Sequence, residues 1–151
     1  AEAGVGLILF SSSVELAVPL GGGNREAFRT AIRRARSGGK TALRASLVHG
    51  WEVLTRQAQA QNGYGTYRMI VITDGASSDG NPASLAKSIV AGSSIALSVI
   101  GFCLDGGHSL DVAGYTSYTT ANNPEELARS LKAVRAEVTA FDAATFQPQR
   151  Q

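Results

Sequence analysis

Four consecutive apolar residues, Met69-Ile70-Val71-Ile72, run directly into Thr73-Asp74-Gly75. A short run that is apolar at every position needs cover on both sides, the pattern of a strand inside a parallel sheet. Such a sheet requires helices on its faces and crossover links between its strands. The carboxylate of Asp74 then falls where open α/β sheets bind ligands, in the crevice beyond the carboxyl ends of the strands, and Gly75 permits the turn that follows. An Asp-Gly pair is also an ordinary turn signal, so the rest of the chain has to decide.

The rest of the chain repeats the alternation. Val5–Phe10 reads as a strand buried on both faces, and residues 14–18 as its hairpin partner, an antiparallel edge strand closed by Pro19 and the glycines at 21–23. Asn24 offers an N-cap for a helix through about Arg36, with Ala27, Phe28, Ala31, Ile32 and Ala35 at helical spacing. A second helix starts at Thr41 and carries Leu43, Leu47, Trp51 and Leu54 on one face. Tyr67–Thr73 is a strand, 82–90 a helix and 95–104 a strand; a short helical piece is expected near 109–113, then a last strand over 115–120. Asn123 caps the final helix, where Pro124 suits the first turn, Glu125 and Glu126 complement the dipole, and Leu127, Leu131, Val134 and Val138 share a face. The pattern predicts an α/β, doubly wound, largely parallel, Rossmann-like sheet with helices on both faces. Residues 1–140 form one domain, and 141–151 a polar tail that docks Phe141 and Phe146.

Several chemistries fail on spacing. Gly38-Gly39-Lys40-Thr41 invites a phosphate-loop reading, but Arg34 stands where that motif needs its first glycine and an amphipathic helix precedes it. Ser77 and Ser78 miss the nucleophile-elbow pattern, because Asp79 stands where the second glycine belongs. His49 and His108 have no second histidine or cysteine at zinc-ligand spacing. Cys103, the single cysteine, rules out an internal disulfide, and its apolar neighbours predict a small core residue. The net charge of +2 leaves the local distribution to decide. Arg25, Arg29, Arg33, Arg34, Arg36, Lys40 and Arg44 form a basic run, but no aromatic residues interleave for base stacking, so nucleic acid is not expected. No stretch reaches the length of a membrane span. The chain lacks an initiator methionine and enters strand-like sequence almost at once, as a processed or excised polypeptide would.

The ordered set Gly6-Leu7-Ile8-Leu9-Phe10-Ser11, Gly38-Gly39-Lys40-Thr41-Ala42-Leu43, Val71-Ile72-Thr73-Asp74-Gly75, Val99-Ile100-Gly101 and the segment 118–127 resembles a von Willebrand factor type A (vWA) domain of the bacterial type. The resemblance implies a metal-ion-dependent adhesion site at the top of the sheet. There a divalent cation, usually magnesium with manganese or calcium as substitutes, is held by an Asp-x-Ser-x-Ser loop, a threonine and an aspartate, and a partner's acidic residue completes the shell. Thr41 matches the threonine and Asp74 the aspartate. Without the resemblance, the Thr41 hydroxyl either caps its helix or coordinates a hard cation.

The resemblance also defines a departure. The family's first strand, its Asp-x-Ser-x-Ser loop and its first helix have no counterpart here, and that strand would lie between Val5–Phe10 and Tyr67–Thr73 in the middle of the sheet. Closing the gap, filling it with a segment of another chain, including a second copy, or membership of a longer protein are the three expected outcomes. The implied function is a non-enzymatic, protein-binding module with an incomplete metal shell, in which Ser77 and Asp79 contact the partner. An extracytoplasmic setting is favoured by the resemblance alone. The alternative is a metal-dependent hydrolase or phosphatase using Asp74 with Asp105 or Asp111, which sit in loops on the same rim.

Overall fold

The computed structural model describes residues 3–136. In chain order the elements are β1 (Val5–Phe10), β2 (Val14–Gly21), α1 (Arg25–Arg34), α2 (Leu43–Ala60), β3 (Tyr67–Thr73), α3 (Ala83–Gly92), β4 (Ile95–Phe102), β5 (Thr116–Ala121) and α4 (Pro124–Ala136). The alternation expected from the sequence is present, and β3, β4 and β5 form a parallel sheet in that order. The hairpin β1–β2 is a separate antiparallel sheet. Among the described residues β1 and β3 each have a strand partner on one side only, so the first of the three expected outcomes, direct closure of the gap, does not occur.

Burial follows the pairing. β4 has neighbours on both sides, with Leu97 opposite Met69 in β3 and Thr116 in β5, and every residue from Leu97 to Gly101 is buried. β3 carries the apolar run Met69–Ile72 but, among the described residues, has one open edge, and it alternates: Tyr67, Val71 and Thr73 are buried while Ile70 and Ile72 are exposed. The core is therefore centred on β3 and β4. Leu43 and Leu47 of α2 and Ala86 and Ile89 of α3 pack fully buried against Val71, Leu97 and Val99, with Trp51 and Leu54 half-buried beside them. Gly50 lets α2 approach closely, since a Cβ there would stand 2.9 Å from Met69 Cε and 3.7 Å from Ile8 Cδ1. That helix thus packs on strands of both sheets. On the other side, α4 packs on β4 and β5, and the Arg68 guanidinium bonds the Val134 carbonyl.

Four local expectations are corrected. The stretch 109–113 consists of turns instead of a helix, because the Thr116 hydroxyl donates to Leu110 O at 2.6 Å and accepts from Val112 N at 2.9 Å, which draws Leu110 and Val112 inward. Asn24 leads into α1 but does not cap it with its side chain, whose amide bonds the carbonyls of Val5 and Pro19 and ties the helix entry to the hairpin. Cys103 is exposed: β4 ends at Phe102, and a positive φ of 52° turns the chain out of the sheet. The hairpin partner continues past Pro19 to Gly21. At the last helix, Asn123 Oδ1 accepts from Glu126 N at 2.8 Å, the expected cap, while the Glu126 carboxylate accepts from Asn122 N at 2.7 Å. Val138, Phe141 and Phe146 lie outside the described residues.

Stability is unevenly distributed. α1 has no buried residue and Ile32 is 53% exposed. Leu47→Ala should therefore cost about 2–5 kcal/mol in urea denaturation, and Ile32→Ala no more than about 0.5 kcal/mol. Equal losses at the two positions would contradict this placing of the core.

Candidate functional site

Three loops meet beyond the carboxyl ends of β1 and β3. The segment before α2 is stitched to the loop after β3 by two bonds: Thr41 N donates to Ser78 Oγ at 3.0 Å, and Ser78 N donates to Thr41 O at 2.8 Å. The same segment is tied to the end of β1, where Ala42 N donates to Ser11 O at 2.8 Å and Lys40 N to Ser12 Oγ at 2.9 Å. Gly39 is needed here, since its φ is 79° and a Cβ would press on the Ser12 hydroxyl at 2.7 Å. The third loop follows β4. His108 Nδ1 accepts from Leu110 N at 3.1 Å, which leaves the proton on Nε2 to bond Gly75 O at 3.0 Å.

Thr41 and Asp74 fall on this rim together. A Cβ placed on Gly75, next to Asp74, would lie 3.4 Å from Thr41 Oγ1, so the hydroxyl stands against the turn that presents the carboxylate. Asp74 itself is exposed. Thr41 does not cap α2, whose first residue is preceded by Ala42 and which receives no cap from that position. Asp79 does that work from across the rim, accepting from Arg44 N at 3.0 Å through one carboxylate oxygen and from Ala45 N at 2.9 Å through the other. Ser77 donates its hydroxyl to the same carboxylate at 2.7 Å. The two residues proposed from sequence as partner contacts are thus also the anchor of α2's N-terminus.

The electrostatics of Asp79 follow from these bonds. Partial burial pushes its pKa up, but the amides of Ala45 and Arg44 and the Ser77 hydroxyl together outweigh that and hold it below the ordinary 3.8. On β5, burial and then the charge of Asp111 push the Tyr118 phenol up. Tyr118 stacks on His108 with ring centroids 6.1 Å apart and an interplanar angle of 6°, which braces the third loop from behind. A side chain at Gly101 would collide with that phenol.

The donor set does not make a complete metal site. Thr41 and Asp74 bring one neutral oxygen and one carboxylate, whereas magnesium takes six oxygen ligands and calcium six to eight. Among the described residues no cluster of three or more histidine, cysteine, aspartate or glutamate side chains could hold an ion. His108 was the residue that sequence reasoning undervalued. Its role depends on Gly75, which is distant along the chain, and the glycine-rich loop around it carried no signal for that contact.

The chain belongs to the vWA family: residues 2–147 match the model of the von Willebrand factor type A domain. Among solved structures it is similar to a von Willebrand factor type A protein from Catenulispora acidiphila, with 16% identity and a TM-score of 0.70 over 89% of this chain and 33% of that one. It is also similar to proximal thread matrix protein 1 from the mussel byssus, described with a zinc-occupied MIDAS motif, with 27% identity and a TM-score of 0.66 over 85% of this chain and 34% of that one. An aerotolerance-related membrane protein from Bacteroides fragilis gives 19% identity and a TM-score of 0.66, over 90% and 79% of the two chains. The chain thus spans about a third of the length of the first two structures. A search of curated proteins found no match. Among the described residues no helix is long and apolar enough to cross a membrane.

Removing the cap tests the construction of the rim. Asp79→Ala should lower stability by about 1 kcal/mol near neutral pH, the lower range being expected for an exposed cap. Because the folded pKa is depressed, this contribution is full above the ordinary 3.8 and disappears as pH falls through the lower folded value. Urea midpoints of the two proteins should therefore converge in acid, and a difference that persists there would mean that Asp79 acts by some other contact.

Proposed function

We propose that this chain is a non-enzymatic protein-binding module of the adhesion type, whose partner docks on the rim carrying Thr41, Asp74, Ser77 and Asp79. The observation that supports this most is the approach of Thr41 Oγ1 to the Gly75 turn, which sets a hydroxyl beside an exposed carboxylate at the position where the family binds its partners. The loops around them are fixed by backbone bonds, so the surface needs little ordering on binding, and ordering is a large part of what association costs. Thr41 and Asp74 are the two ligands this chain would bring to magnesium, manganese, calcium or zinc. Further oxygens from a strand and Asp-x-Ser-x-Ser loop are required before an ion is held. An extracytoplasmic setting, in which the rim meets proteins of other assemblies, fits this reading.

Calorimetric titration with magnesium, manganese and zinc separates the possibilities. The chain alone should give no saturable heat, and a version extended at its N-terminus by an apolar strand and an Asp-x-Ser-x-Ser loop should bind. Asp74→Ala in the extended version should abolish binding, and Thr41→Val should weaken it by about tenfold, the loss expected for one charge-neutral ligand bond. Silence in the extended version would overturn the reading. Metal binding accompanied by hydrolysis of a generic phosphoester would move the assignment to the hydrolase that pairs Asp74 with Asp105 or Asp111.

A further inference from the structure

Half of the fourteen lysine and arginine residues fall between Arg25 and Arg44, against a single acid, Glu26. The fold sorts them. Arg36 folds its guanidinium back onto the carbonyls of Arg33, Arg34 and Ala35, and Arg44 is held by Asn81 O. Arg34 lines a cleft of about 980 Å³ between α1 and the hairpin, together with Ala27 and Ala31. Arg25, Arg29 and Arg33 are exposed and four residues apart, so on an α-helix they form one row about 12 Å long, each about 6 Å beyond the last. The half-buried residues Phe28, Thr30 and Ala31 mark the side of α1 that packs on the hairpin, and at about 100° per residue the row lies on the other side. A segment packed into the cleft would therefore leave the row uncovered.

The row works against the helix that carries it. Like charges at i and i+4 repel, and Arg25 stands in the first turn, where the helix dipole disfavours a cation. Among the described residues the one ion pair made by the row joins Arg29 to Glu26 at 4.0 Å, with both side chains more than half exposed. α1 has no buried residue to offset that repulsion. We propose that Arg25, Arg29 and Arg33 form a docking row for an acidic helix of a protein partner, one with carboxylates four residues apart. Such a helix repeats its acids at the same rise, so three planar guanidinium groups meet three carboxylates in bidentate pairs. Ile32 stands 53% exposed beside the row and gives an apolar residue of the partner a place to bury. Other anions fit less well. Three charges in single file offer little to a long sulfated polymer, which responds to total charge. Phe28, the aromatic residue of α1, is half-buried on the hairpin side and offers no stacking platform to a nucleic acid base. Ile32 is the one large apolar side chain exposed on α1, too little to enter a lipid surface. The row is independent of the metal rim, and its test contains no metal.

The probe is a labelled peptide of about eighteen residues, alanine and glutamine with glutamate at every fourth position and a leucine beside each, titrated with the full chain and followed by fluorescence anisotropy. It should bind at low salt and lose about tenfold in affinity at about 0.15 M salt. A peptide of the same composition with its glutamates spread round the helix should bind about fivefold more weakly. Arg29→Gln combined with Arg33→Gln should weaken the first peptide about tenfold. Arg34→Gln combined with Lys40→Gln removes the same charge away from the row and should change binding by less than about twofold. Because the row opposes its helix, the first pair of substitutions should leave the urea midpoint unchanged or higher, which separates lost binding from lost folding. No binding of the peptide, equal weakening by the two pairs, equal binding of the spread peptide, or a fall in that midpoint would overturn the proposal. So would tighter binding of heparin or of phosphatidylserine vesicles that is lost with Arg29→Gln and Arg33→Gln, since the row would then serve a sulfated polymer or a lipid surface.

Discussion

Among the described residues, helix α2 packs on strands of both sheets, and the relative placement of β1 and β3 rests on it. Leu43 and Leu47 are fully buried against the parallel sheet, while Gly50 brings the helix axis down far enough for Ile8 and Met69 to meet beneath it. Each fully buried aliphatic side chain stabilises by about 1.5–3 kcal/mol. Among the described residues no ladder of backbone bonds joins the sheets, and side-chain packing on this helix and the loop bonds at its start hold them together. The Asp79 carboxylate fixes that start by accepting from two of its first free amides.

The two halves consequently differ in how firmly they are held. β3, β4 and β5 share one buried cluster with α2 and α3, and α4 closes the other face. The hairpin contributes Val18 to the buried set and Phe10 to its margin, and α1 contributes nothing fully buried. Polar ties hold this half instead: the Asn24 amide joins the hairpin to α1, and Ser11 and Ser12 join it to the Thr41 loop. The basic run is partly spent in the same way. Arg36 bonds the carbonyls at the end of α1, and Arg44 bonds Asn81 O at 2.8 Å, so both guanidinium groups act as local ties while keeping their charge.

What was legible from the sequence was periodic or local. Apolar runs marked β1, β3 and β4, alternation marked β2, β-branched and aromatic residues marked β5, and Asn123 read correctly as a cap. Strand direction put Asp74 on the rim, whereas Thr41, which lies between two helices, was placed there only by the family resemblance. What escaped was decided by contacts distant along the chain. The cap of α2 comes from Asp79, 35 residues beyond Arg44, and His108 reaches Gly75 across 33 positions. No window of sequence contains either pair. Cys103 was misplaced because hydropathy cannot see that its own positive φ turns the chain out of the sheet after Phe102.

The rim is built from a few bonds that reach both sheets, and this bears on how it can work. The Thr41 loop holds the end of β1 through Ser11 and the loop beyond β3 through Ser78, so the two strand ends keep a set separation although, among the described residues, no bond joins the strands themselves. Preorganisation of that kind reduces the ordering cost of association at Thr41 and Asp74. Away from the rim the constraint weakens: Val5 is 47% exposed, and Ile70 stands open on the face opposite α2.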